Sequence, residues 1–193
     1  MNLAALSTTQ IIVVIAVAAV VVLAIVGIAL SIRKRRTEKL RTRFGNAEYT
    51  RAVTEGGSQR KAEATLNERA VRVERLHIRA LGAGDRTRFI DSWAKVQARF
   101  VDGPGSAVTD ADQLLTDVMS TRGYPVSDFE QRANDISVDH PLVLENYRAA
   151  HQSALRQAKG EADTEDLRQA MIHFRTLFDE LVNEPEIACA HTA

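Results

Sequence analysis

The sequence predicts an all-α protein with an N-terminal transmembrane helix, a helical linker or stalk and a small C-terminal helical bundle. One observation is an uncharged apolar segment over residues 11–32. A second is that apolar residues farther along recur at steps of three and four, as on one face of a helix. A third is that no alternating strand pattern is longer than the short stretch 76–81.

The apolar segment IIVVIAVAAVVVLAIVGIALSI contains 22 residues without a charge. As a helix it would be about 33 Å long, enough to cross a hydrocarbon core of about 30 Å. A cleaved signal peptide is the alternative, but its apolar region is shorter and follows basic residues. The first ten residues contain no basic side chain, and no convincing Ala-x-Ala cleavage site follows the segment. We therefore expect a membrane anchor.

Charge next to the apolar segment predicts its orientation. Basic residues that flank a span stay on the cytoplasmic side, so residues 1–10 should lie outside and the rest in the cytoplasm of a plasma (inner) membrane. The same cations are candidate contacts for lipid headgroups, although a topology signal alone would also explain them. These cations are Arg33, Lys34, Arg35 and Arg36.

The remaining charge is divided along the chain. Residues 33–51 hold eight basic and two acidic side chains, whereas residues 89–193 hold nine basic and eighteen acidic ones. Because the basic cluster adjoins the membrane and the distal part is acidic, nucleic acid is not an expected partner. Cys189 is the only cysteine, which excludes an intrachain disulfide.

Two segments connect the anchor to the bundle. Residues 33–57 form a basic juxtamembrane segment, and residues 58–81 are predicted to form an amphipathic linker helix. Its thin apolar face fits a short coiled-coil stalk, or a helix that lies against the domain. That face contains Ala62, Leu66, Ala70 and Val73.

We expect residues 85–184 to form the helical bundle and residues 185–193 to form a flexible tail. The first bundle helix has the clearest apolar face, which we interpret as core: Phe89, Trp93, Val96 and Phe100. The last helix should bury Leu167, Ala170, Met171, Phe174, Phe178 and Leu181. Helix starts are predicted at Ser106, at Ser127 with Glu130 as a capping box, at Asp139 and at Thr164.

No catalytic, cofactor or metal site is predicted. The five histidines include no pair at i, i+4, although His151 and His173 could meet across two helices. Phosphate loops and nucleophile elbows are absent from the sequence, and no small-molecule substrate is indicated. We therefore expect no enzyme. The less favoured alternative is an enzyme with an unrecognised polar site near Tyr124, Asp139, His140 and Tyr147.

The densest polar and aromatic segment is the candidate partner surface, because Tyr and Arg are frequent anchors at interfaces. Each residue also has a local alternative role, as a cap, a turn former or a residue at the edge of the core. The candidate residues are Arg122, Tyr124, Asp139, His140, Tyr147 and Arg148.

Several motifs after the anchor carry a resemblance. They are LRTRFG with Glu48-Tyr49, VQARFVD, RGYP, SVDHP and ENYR. The chain resembles a group of uncharacterised bacterial single-pass membrane proteins with a helical C-terminal domain, some of which are labelled "secreted". The resemblance implies the same architecture and a bacterial plasma membrane, and it implies no activity.

Together these features predict a membrane-anchored protein-interaction or scaffolding module. Its partner would be another protein or a second copy of the chain. The alternatives are a lipid- or envelope-sensing protein that uses the basic juxtamembrane segment, or an enzyme with an unrecognised site.

Overall fold

The structure, a computed structural model, describes residues 8–125 and 128–183. Over these residues it contains seven helices and no strand, which confirms the all-α fold. The helices are α1 (Thr8–Gly56), α2 (Gln59–Glu74), α3 (Ala83–Arg99), α4 (Pro104–Arg122), α5 (Phe129–Asp139), α6 (Pro141–Ala158) and α7 (Thr164–Asn183). The predicted tail at 185–193 lies outside the described residues.

The chain divides into two compact units, one up to Thr42 and the other from Arg43 onward. In the first unit, α1 is the one helix of the described part that is long and apolar enough to cross a membrane. None of its most apolar stretch is buried against protein. Large apolar side chains between residues 17 and 32 are about half exposed or more, for example Leu23 at 71%.

Gly45 breaks the regular backbone of α1. Its φ of 74° and ψ of 163° lie in a region that is essentially restricted to glycine. Beyond it, Tyr49 and Ala52 are buried in the second unit, and the Tyr49 hydroxyl donates to Glu63 Oε1 of α2 at 3.0 Å. The end of α1 is therefore packed against α2.

α2 lies against the domain, which is one of the two arrangements that the sequence allowed for this helix. Its four predicted face residues are all buried, and it packs against α5. It ends at Glu74, earlier than the expected end near Ala80. The Arg79 amide instead donates to the Arg122 carbonyl at 2.8 Å, so a tertiary contact holds this segment outside the helix.

α3, α4, α6 and α7 provide most of the core. Trp93 of α3 stacks on Phe178 of α7 with ring centroids 4.7 Å apart. Phe89 and Val96 are buried as predicted, and Phe100 is partly buried. All six residues predicted for the inner face of α7 are buried. Burial of each large side chain contributes about 1.5–3 kcal/mol, which makes this the principal stabilisation of the bundle.

Two predicted capping residues, Ser106 and Thr164, do not cap the helices that they were expected to begin. α4 begins one turn before its expected cap, with Pro104 in its first turn, and the Ser106 hydroxyl donates to the Gly103 carbonyl at 2.9 Å. α7 begins at Thr164, but the capping carboxylate is that of Asp163, which accepts from the Asp166 amide at 2.8 Å. The Asp163 amide in turn donates to the Asp166 carboxylate, in a reciprocal capping box.

The observed starts of α5 and α6 also differ from the predicted ones. Ser127 lies outside the described residues, and Asp128 caps α5 by accepting from the Gln131 amide at 2.9 Å. Asp139 is the last residue of α5 and does not cap α6, whose first turn carries Pro141 and has no side-chain cap. Acidic and hydroxyl residues near a helix start compete for the same amides, so the sequence places such a cap only within a few residues.

Replacing Gly123 with Ala should destabilise the fold. Gly123 ends α4 with φ 100°, and a Cβ there would lie 2.6 Å from the His77 carbonyl oxygen. We expect the free energy of unfolding to fall by about 2 kcal/mol. Urea titration followed by the fluorescence of Trp93, the only tryptophan, measures it. The control is Gly84→Ala, where a Cβ meets open space, and an equal loss in both variants would contradict this account.

Candidate interaction site

The predicted partner-surface residues lie mostly inside the protein. Asp139 is exposed, but the other five are at most 8% exposed. They are Arg122, Tyr124, His140, Tyr147 and Arg148. A side chain that is buried among its own chain's atoms cannot anchor a partner, so this prediction is corrected: the segment has an internal role.

Arg122 shows what that role is. Its Nε donates to the Arg79 carbonyl at 3.2 Å, and its Nη1 donates to the Leu181 carbonyl at 3.1 Å. Leu181 lies in the last turn of α7, where carbonyl groups lack helical partners and a cation is favourable. The guanidinium therefore joins the end of α4 to the end of α7.

The corner between α5 and α6 is held in a similar way. The Tyr124 hydroxyl donates to Asp139 Oδ2 at 3.3 Å. His140 is 3% exposed, and its Nδ1 lies 3.4 Å from Glu180 Oε1 of α7. Tyr124, Asp139 and His140, which the sequence suggested for an enzymatic site, are thus paired with other side chains of the same chain.

A second polar group joins the end of α1 to the rest of its unit. We call it the Glu48 cluster; it contains Glu48, Arg69, Glu130 and Arg148. The Glu48 carboxylate is 2% exposed and accepts from Arg69 Nη1 at 2.6 Å and from Arg148 Nη2 at 3.3 Å. Arg148 Nη1 donates to Glu130 Oε2 at 3.3 Å. The buried carboxylate is thus compensated by two guanidinium groups.

Next to this cluster, Arg72 of α2 pairs with Asp135 of α5, which is 1% exposed. Gln131 Nε2 also donates to Asp135 at 3.2 Å. Burial raises the pKa of Asp135 against the opposing influence of Arg72. The polar contacts therefore continue from α1 through α2 to α5.

A third group of titratable side chains lies where α4, α5 and α6 meet. Burial raises the pKa of Asp112 although the nearby Arg132 lowers it. Burial also raises the pKa of Tyr147 to about 12, and its hydroxyl oxygen accepts from Arg132 Nε at 3.1 Å. His151 stacks on Phe129 with centroids 3.5 Å apart, and burial lowers its pKa.

The histidines do not form a metal site within the described residues. His151 contacts Phe129, whereas His173 Nδ1 lies 2.9 Å from Asn146 Oδ1, so the two rings have separate partners. Across residues 8–125 and 128–183, no group of three or more metal-ligating side chains converges.

The structure also contains a groove that the sequence did not reveal. The groove lies between α3 and α7, has a volume of about 470 Å³ and is open to solvent. Its lining includes Trp93, Phe100 and Met171, with the exposed Ile172 beside them. The Arg175 guanidinium lies 5.6 Å from the Trp93 ring centroid and pairs with Asp179 at 2.7 Å.

The groove keeps accessible apolar groups, chiefly Ile172 and part of Phe100. The Glu48 cluster, by contrast, is filled by its own side chains. The one available sequence signal was Ile172, an apolar residue next to the predicted inner face of α7. Comparison with known proteins does not assign the groove: no family model, curated protein or solved structure matches the chain.

Replacing Glu48 with Gln should be strongly destabilising. The exchange preserves size but leaves Arg69 and the buried Arg148 without their shared counter-charge, which we expect to cost about 3 kcal/mol. Urea titration of Trp93 fluorescence measures the change. Glu55→Gln is the matched control, because its pair with Arg51 is exposed and should contribute about 0.5 kcal/mol. Similar small effects in both variants would refute the role of the Glu48 cluster.

His151 should make stability depend on pH. Its pKa in the folded protein lies below the value of 6.5 for a free side chain. As pH falls through 6.5, the unfolded chain takes up this proton before the folded chain does, so the free energy of unfolding falls until the folded pKa is passed. His151→Gln should flatten this part of a pH–stability profile measured by urea titration. An unchanged profile in His151→Gln would contradict the assignment.

Proposed function

We propose that this chain is a membrane-anchored protein-interaction or scaffolding module. In this proposal α1 crosses the plasma membrane of a bacterial cell once, and the bundle lies in the cytoplasm. The unburied apolar surface of α1 supports the anchor, and the cations from Arg33 to Arg36 support the orientation. A C-terminal tag should then be cut by added protease only after the cells are permeabilised.

The groove between α3 and α7 is the observation that supports a protein partner. A groove between two packed helices can accommodate a third helix. A row of side chains on that third helix forms a ridge that fits into the groove. The lining side chains that an incoming helix can reach are the exposed Ile172 and Arg175 and the partly buried Phe100, and Arg is a frequent anchor at interfaces. The proposed occupant is therefore the apolar face of an amphipathic helix in a partner protein.

Charges at the groove favour helix docking over catalysis. Arg168 pairs with Glu165 at 2.6 Å, and Arg175 pairs with Asp179, so the cations at the rim are already compensated. The carboxyl groups whose pKa is raised, Asp112 and Asp135, and the histidine whose pKa is lowered, His151, lie elsewhere in the bundle. The groove thus offers apolar contact area with a compensated rim, which suits an interface.

A photo-crosslinking residue at position 172 tests this proposal in cells. Ile172 is 46% exposed beside the groove, and position 155 on α6 is the matched control because Leu155 is 44% exposed. We expect one discrete adduct from position 172 and none from position 155. Failure to exceed the control would count against a partner at this groove.

A second pair of variants decides whether the adduct depends on the groove. Thr176 lines it, is exposed, and donates to the carbonyl four residues earlier. Thr176→Glu places a charge in the groove and should abolish the adduct. Thr109 makes the same backbone contact on α4, so Thr109→Glu should leave the adduct intact. An adduct with twice the mass of the chain would identify a second copy and contradict a different protein as partner.

A further inference from the structure

The first two turns of α1 after its apolar stretch carry an unusual concentration of unpaired cations. Five basic side chains between residues 33 and 39 are exposed, and none makes an ion pair or hydrogen bond with another described residue. Glu38 is the only acidic residue among them. We call these five residues the collar: Arg33, Lys34, Arg35, Arg36 and Lys39.

Cations elsewhere in the described chain are often compensated on their own helix. Arg51 pairs with Glu55, Arg168 with Glu165 and Arg175 with Asp179. In the collar, pairs at helical spacing such as Arg33 with Arg36 and Arg35 with Lys39 have the same sign, and Glu38 is the single opposite charge within reach of Lys34 and Arg35. Like charges at these spacings destabilise a helix, so an external anionic surface would relieve the repulsion.

The arrangement of the collar around α1 favours a surface that surrounds the helix. Successive helical residues are rotated by about 100°, so the four consecutive cations point to all sides of the axis. A folded partner or a duplex nucleic acid would approach from one side and leave part of this charge uncompensated. A layer of lipid headgroups meets a helix from every side.

The position of the collar along α1 agrees with this geometry. It begins directly after Ile32, the last residue of the apolar segment, and seven helical residues extend over about 10 Å. This is close to the screening length of about 8 Å at physiological ionic strength, so all five charges would be felt at the surface.

We propose that the collar binds the phosphate groups of anionic phospholipids and keeps a shell of them around α1. This inference rests on the membrane anchoring proposed above and adds the class of lipid to it. Guanidinium groups bind phosphate oxygens through two parallel hydrogen bonds, and Arg contributes three of the four consecutive cations. Such a contact persists in the inserted protein, unlike a signal that acts only during insertion.

Lipid selectivity of the full-length protein in detergent micelles tests the proposal without a contribution from topology. The probe is an equimolar mixture of phosphatidylglycerol and phosphatidylcholine, and bound lipid is counted by native mass spectrometry. A single cation near an anionic surface contributes about fivefold in binding, so loss of all five collar residues should reduce the preference for phosphatidylglycerol by about fivefold at the least. The variant replaces all five collar residues with Gln.

The matched control replaces five exposed cations of the second unit that likewise make no ion pair with a described residue. They are Arg60, Lys61, Arg75, Lys95 and Lys159. This control removes the same charge, so it should keep the preference of the wild type if position decides the effect. An equal preference in the wild type and the collar variant would overturn the proposal, and so would an equal loss in both variants.

Two further outcomes separate the alternatives. If glycerol phosphate displaces phosphatidylglycerol at equal concentration, the collar is a site for soluble phosphate and the lipid assignment is overturned. If the wild-type protein stays monodisperse without detergent and binds neither lipid, the anchor itself fails. A protein that requires detergent but lacks lipid preference refutes the collar alone.

Discussion

Apolar surface that none of the described residues covers is the constraint on which the rest of the structure depends. Between residues 17 and 32 the large aliphatic side chains of α1 remain about half exposed or more. Transfer of each from water to an apolar phase would contribute roughly 1.5–3 kcal/mol, so a water-exposed helix of this kind would aggregate. In the proposed membrane anchor, a bilayer would cover this surface while the helix pairs its own backbone groups. The basic residues of the collar follow directly after this apolar surface.

Charged groups in the second unit mainly organise the fold. Arg122 satisfies carbonyls at the end of α7, and Glu48 brings Arg69 and Arg148 together. Such groups are costly when buried singly and tolerable when paired, which makes them sensitive to substitution without making them sites for ligands. The surface left for recognition is instead apolar and lies in the groove between α3 and α7. We thus propose lipid contact for the first unit and protein contact for the second unit.

Periodicity predicted the inner faces of the helices because a helix buries the same face wherever it packs. Phe89, Trp93 and Phe174 were placed correctly on this basis. Helix ends were harder to predict, since several side chains near each start compete for the same amides. Asp163 prevailed over Thr164, and a contact between Arg79 and Arg122 shortened α2. The first was a choice between two adjacent residues, whereas the second depends on a tertiary contact that the local sequence does not encode.

The candidate site was less predictable than the fold. Glu48 meets Arg69 and Arg148 across separations of 21 and 100 residues, so their pairing depends on the tertiary structure. Tyr and Arg suggested an interface by composition, but composition does not reveal burial. The groove exists only because α3 docks on α7 through Trp93 and Phe178, which no local pattern specifies.

Extraction with alkaline carbonate tests the central claim most directly. Membranes from cells that express the full chain are washed with carbonate and compared with those from cells that express residues 43–193 alone. The account predicts that the full chain remains in the membrane pellet, while the shorter chain appears in the supernatant. Release of the full chain by carbonate would contradict a membrane-spanning α1, and with it the proposed anchored module.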